Sequence, residues 1–187
     1  MRSTLPIFAA ALAASVPAIG AETVSVGNFR SVQLRGGGVV NVVPGPVQRV
    51  TIVEGSSRYT GMRIERDGQL RIDTCNERCP QTYRLRVEIQ SPTVPSLGIS
   101  GGGLITAAGG FRPQPQVSVA VNGGGKIDAR SVEAGSVSAA VNGGGEILVR
   151  PRSSLSAAIN GGGHVRYWGD PRVSSAVRGG GAVTKGS

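Results

Sequence analysis

Three stretches decide the fold: Ser118-Val119-Ala120-Val121-Asn122-Gly123-Gly124-Gly125-Lys126-Ile127, Ser138-Ala139-Ala140-Val141-Asn142-Gly143-Gly144-Gly145-Glu146-Ile147, and Ser156-Ala157-Ala158-Ile159-Asn160-Gly161-Gly162-Gly163-His164-Val165. Each reads Ser, small and aliphatic residues, Asn, three glycines, a polar residue and a β-branched one. Gly-Gly-Gly recurs at 36–38, 101–103 and 179–181, and the six starts lie 65, 22, 20, 18 and 18 residues apart. Ser stands five positions before every triplet, at Ser31, Ser96, Ser118, Ser138, Ser156 and Ser174. An aliphatic residue stands two before it (Leu34, Ile99, Val121, Val141, Ile159, Val177) and another two after it (Val40, Ile105, Ile127, Ile147, Val165, Val183). Registration across six units marks a structural repeat, not low-complexity sequence.

Within a unit the apolar residues alternate, as in Val137, Ala139, Val141, Ile147 and Val149. Period two is the strand signature. The glycines interrupt it once per unit, where a bend or a close approach of backbones is needed. Two short strands and a bend every 18–22 residues predict one coil of a parallel β-helix, each coil advancing ~4.8 Å. The Leu-x-x-Leu-x-Leu pattern of leucine-rich repeats is absent, and a propeller blade is about twice as long. The coil reading predicts that Ile105, Ile127, Ile147, Val165 and Val183 form one buried column. Asn122, Asn142 and Asn160 would stack as a structural row able to bond amide to amide.

The 65-residue interval breaks the pattern. Val47–Glu54, Met62–Arg66, Gln69–Asp73 and Tyr83–Gln90 alternate, and Asp67-Gly68 is a hairpin signal. Residues 47–90 are therefore read as antiparallel strands leading into regular coils over 95–185. Cys75 and Cys79 lie between the last two strands. Their spacing is not Cys-x-x-Cys and no His is near, so a structural disulfide is favoured over a redox pair or metal site.

Met1–Ala21 has the layout of a secretory signal peptide: Arg2, the apolar run Leu5–Ala14, and small residues before Glu22. The run is too short to span a bilayer, which takes ~20 apolar residues. The expected mature chain is a single domain, 22–187, exported to the periplasm or cell surface of a bacterium, with no transmembrane segment. An exported chain can keep its two Cys oxidised. The 187 residues carry a net charge of +9, or +8 without Arg2, and include thirty Gly but one His and two Cys. That composition argues against a zinc module, and the Gly residues lack collagen's period.

Catalysis on a β-helix needs paired carboxylates, or a calcium cluster with a base. The repeats hold only Asp128, Glu133, Glu146 and Asp170, no two of them in one row, and His164, the only His, follows Lys126 and Glu146 in its row and is read as a rim residue. A Gly-x-Ser-x-Gly elbow is also missing. The reading is therefore non-enzymatic, with no catalytic residue, cofactor or metal; a polysaccharide-active enzyme ranks last. Two candidate binding surfaces remain. Arg130, Arg150 and Trp168 share one row with Arg166 nearby, a strip that would attract an anionic glycan or lipid. Nucleic acid is not expected, because the aromatics form no stacking series. The second surface is the small outward row containing Ser138 and Ser156. It is a flat contact face for an envelope component or a second subunit, unless it packs against the chain itself.

The chain resembles the auto-transporter adhesin head GIN domain family of bacterial envelope proteins. The resemblance is carried by Phe29-Arg30-Ser31-Val32-Gln33-Leu34, Val50-Thr51-Ile52-Val53-Glu54-Gly55, Asp67-Gly68-Gln69-Leu70-Arg71-Ile72, Leu85-Arg86-Val87-Glu88-Ile89, Pro95-Ser96-Leu97-Gly98-Ile99-Ser100-Gly101 and Tyr167-Trp168-Gly169-Asp170-Pro171. It implies a β-solenoid in the envelope and no characterised activity. Family members commonly carry Gly-Ser-Gly-Asp at the turn, whereas Val39, Leu104, Lys126, Glu146, His164 and Ala182 stand here, so no acidic ladder for calcium is expected. The resulting expectation is a non-catalytic adhesin or scaffold acting by binding. The alternative is a polyanion- or carbohydrate-binding module.

Overall fold

The computed structural model describes residues 21–76 and 79–187, so the expected signal peptide lies almost wholly outside the described residues. Fifteen strands form one mixed, strongly curled sheet, with no helix among the described residues. They are β1 Glu22–Val24, β2 Ser31–Gly36, β3 Val39–Pro44, β4 Arg49–Glu54, β5 Gly61–Ile64, β6 Gln69–Asp73, β7 Arg86–Ser91, β8 Ser96–Gly101, β9 Leu104–Ala107, β10 Gln114–Gly123, β11 Lys126–Gly143, β12 Glu146–Asn160, β13 His164–Tyr167, β14 Arg172–Arg178 and β15 Ala182–Lys185.

Parallel pairing runs along two tracks. The strands before the glycine turns pair in the order β6, β2, β8, β10, then the later halves of β11 and β12, then β14. Those after the turns pair as β7, β3, β9, then the earlier halves of β11 and β12, then β13 and β15. The register agrees with the positions counted from the glycine triplets. Leu34 faces Ile99, Ile99 faces Val121, and Val121, Val141, Ile159 and Val177 follow in turn. On the second track Val40, Ile105, Ile127, Ile147, Val165 and Val183 are successive partners. Ile105, Ile127, Ile147 and Val165 are fully buried, and Val183, in the outermost strand, is partly covered. The expected column is present. Each enclosed side chain of this kind contributes roughly 1.5–3 kcal/mol over exposure.

The glycine triplets stack directly. From 101–103 onward the first and third residues of each triplet leave no room for a Cβ, whereas the middle residues, such as Gly144, face open space. Gly36 pairs with Gly101 although 65 residues separate them, so the interval forms an excursion and the chain returns to lie beside its starting strand.

That excursion differs from the sequence reading of 47–90. The antiparallel pairs exist: β5 with β6 through the Asp67-Gly68 turn, and β4 with β7, to which β1 adds. But β6 also pairs in parallel with β2, and β7 in parallel with β3. Ile72 thus occupies the position of Leu34, and Val87 that of Val40. β6 and β7 make a further unit in which the segment between them takes the place of the glycine triplet, so the triplet spacing does not reveal it. Tyr83 anchors this turn: its hydroxyl bonds Thr60 Oγ1 at 2.7 Å and accepts the Ser56 N–H at 2.9 Å.

Cys75 and Cys79 are joined in the same turn, with Cα atoms 5.8 Å apart. The ring is short, so Cys75→Ser with Cys79→Ser is expected to lower stability by no more than ~2 kcal/mol. Urea unfolding with and without reductant checks this. A loss well above that figure would mean that the bridge organises the whole turn.

Candidate functional site

The outward positions of the first track form a face of small residues. Ser118, Ser138, Ser156 and Ser174 lie in one row, Ala120, Ala140, Ala158 and Ala176 in the next, and Asn122, Asn142 and Asn160 in a third, with Arg178 at its end. The row directions follow from strand alternation, which turns every second residue outward. Ser138, Ser156 and all four Ala are exposed, so no other part of the described chain packs on them. Between the Ala and Asn rows runs a trough of about 570 Å³, crossing six strands from Gln33 and Ser100 to Arg178. Gln33 Nε2 donates to Ser100 Oγ at 2.9 Å and closes one end. The three Asn amides are stacked in register and exposed, and no hydrogen bond joins them; the amide ladder thought possible from sequence is not made.

The basic strip lies on the other side of the glycine turns. Arg130 and Trp168 do come together: the guanidinium sits 5.0 Å from the indole centroid. Arg130 also forms a 2.6 Å ion pair with Asp128. Burial opposes ionisation of Asp128, but the Arg130 hydrogen bonds outweigh it and hold the carboxyl below its usual range. Trp168 Nε1 donates to the Ser187 carbonyl at 3.2 Å, and Gly186 lies so close to the indole that a Cβ there would overlap it. The indole thus contacts both Arg130 and the C-terminal residues. Arg150 does not join this stack. It turns with Arg152 towards Glu133, at 3.7 and 3.9 Å. The cause is a register shift between Ala129 and Glu133, which sets Glu133, not Arg130, opposite Arg150. Arg166 is exposed, without a carboxylate partner among the described residues.

His164 is exposed on β13 beside Glu146, whose carboxylate binds Lys126 at 2.7 Å. Among the described residues no three His, Cys, Asp or Glu side chains gather where they could hold a metal ion. No described helix is long and apolar enough to cross a membrane.

Fold and surface together define an all-β repeat protein whose open features are a flat face and a shallow trough. The family model described as "Putative auto-transporter adhesin, head GIN domain" matches residues 113–171, which hold β10 to β13, and the resemblance read from the sequence stands there. A putative adhesin of known structure from Bacteroides fragilis is similar in fold, with a TM-score of 0.54 at 16% identity over 88% of this chain and 95% of that one. Putative adhesins from Parabacteroides distasonis (TM-score 0.44, 16% identity, 89% and 96% covered) and Parabacteroides merdae (0.38, 17%, 90% and 96%) also match. No curated protein matches the chain.

Proposed function

We propose that this protein is an exported, non-catalytic binding protein of the bacterial envelope or surface, an adhesin or scaffold. On this reading residues 1–21 are a signal peptide and 22–187 a single domain, wound as a parallel β-helix whose coils join the two parallel tracks. The observation that carries the binding role is the exposed Ser/Ala/Asn face. Long charged side chains normally protect an exposed sheet face of this extent. Here β10, β11, β12 and β14 expose rows of Ser and Ala, and the trough is lined by Ala and Asn together with the aliphatic Ile99, Val121, Val141 and Ile159. A flat or extended ligand could contact many coils at once, and the Asn amides offer a donor and an acceptor at every strand spacing. The matching family and the similar fold from Bacteroides fragilis support a surface role.

The test is Ser138→Lys with Ser156→Lys, probed on a glycan and lipid array and by light scattering. The double variant is expected to keep its circular dichroism spectrum and to lose array binding or self-association. Unchanged binding and oligomeric state would remove this face from recognition. A polyanion-binding module, the second reading, would act through Arg150 and Arg152, which share the single carboxylate of Glu133, and through Arg166.

A further inference from the structure

We infer that the open edge of β14 is a docking site for an extended, acidic polypeptide segment of a partner protein, which adds to the sheet as one more strand. This does not depend on the Ser/Ala/Asn face being a binding site.

The sheet has four free edges among the described residues: β1, β5, β14 and β15, of three, four, seven and four residues. Only β14 is long, and it pairs with β12 alone. The Gly161 N–H donates to the Arg178 carbonyl at 2.8 Å. In a parallel ladder alternate residues bond the same neighbour, so Val173, Ser175 and Val177 turn their N–H and C=O groups away from β12. These groups form the unpaired row that an added strand would satisfy.

The side chains fit a strand better than bare solvent. Val173 and Val177 continue the enclosed columns of Leu155 and Ile159, yet they are 40% and 41% exposed. A further strand would cover them, as β14 covers their equivalents in β12. Arg172 and Arg178 flank the edge on the outer face, and neither has a carboxylate within ion-pair reach among the described residues. The matching segment therefore carries apolar residues in step with the two Val and acidic residues in step with the two Arg.

Charge argues against a second copy of this chain. In an antiparallel pair centred on Ser175, Arg172 of one copy would oppose Arg178 of the other at both ends, and like charges directly opposite are destabilising. An acidic strand instead gains from both.

The probe is a synthetic peptide, Glu-Val-Thr-Ala-Ser-Val-Glu with blocked ends, read by fluorescence anisotropy against the purified protein. It is expected to bind at least tenfold more tightly than the same peptide with Lys for both Glu. Methylating its backbone amides should abolish binding. Arg172→Glu with Arg178→Glu should reverse the preference, so that the Lys peptide binds better; a variant that merely misfolds would bind neither. The inference is overturned if the wild-type protein binds neither peptide, if the Glu and Lys peptides bind alike, or if methylation has no effect. A dimer by light scattering that excludes the peptide would also overturn it, by making a second copy the occupant.

Discussion

Gly143→Ala is expected to destabilise the protein by about 3 kcal/mol or more, whereas Gly144→Ala, one residue away, is expected to be neutral or stabilising by up to ~1 kcal/mol. Gly143 has φ +120°, a conformation that costs an L-residue roughly 1–3 kcal/mol. Its Cβ would also lie 2.7 Å from the Gly123 carbonyl oxygen of the neighbouring strand. That oxygen belongs to backbone fixed by pairing on both sides, so it has little freedom to retreat. At Gly144 a Cβ meets nothing within 4 Å and φ is not positive, so Ala there mainly reduces the entropy of the unfolded chain. Gly145→Ala should resemble Gly143→Ala for a different reason: φ is not positive there, but a Cβ would come within 2.6 Å of the Gly125 carbonyl and overlap Val121. Urea unfolding of the three variants gives the answer. Equal effects at 143 and 144 would mean that the turns do not stack as closely as described.

The second large effect is expected in the buried column. Ile147→Ala should cost about 2–5 kcal/mol, the range for removing a buried aliphatic side chain that leaves a cavity. Ile147 is fully enclosed, with Ile127 on one side and Val165 on the other, and both are held in register by backbone pairing. The site therefore has little ability to collapse. Val183→Ala, in the same column, should cost less than about 1 kcal/mol, because Val183 lies in an edge strand and is partly exposed. Thermal and urea unfolding at constant m-value would measure the gradient. A flat response from 147 to 183 would contradict the open end at β14 and β15.

Much of the fold was legible because a stacked repeat makes each position see the same environment in every unit. The Ser, the aliphatic residues at two before and two after the turn, and the glycines recur because each meets its own kind in the next strand. That fixed the strands, their order from β8 onward, the inward columns and the outward Ser/Ala face. What escaped was any unit that solved the turn differently. β6 and β7 carry Ile72 and Val87 in the repeating positions, but a turn closed by Cys75–Cys79 and Tyr83 replaces the triplet, so counting from glycines could not find them.

The sequence by itself determined the alternation, the turns and the residues that face inward, since these depend on chain neighbours and on a period repeated within one strand. Tertiary structure alone decided three further features. It placed β8 beside β2 across a 65-residue excursion. It set Glu133 opposite Arg150 through a register shift at the corner, which separated Arg150 from Arg130 and Trp168. It left β14, among the described residues, paired with β12 alone. Each depends on where distant backbone segments meet, and a local pattern of side chains carries no information about which of two similar strands will become the neighbour.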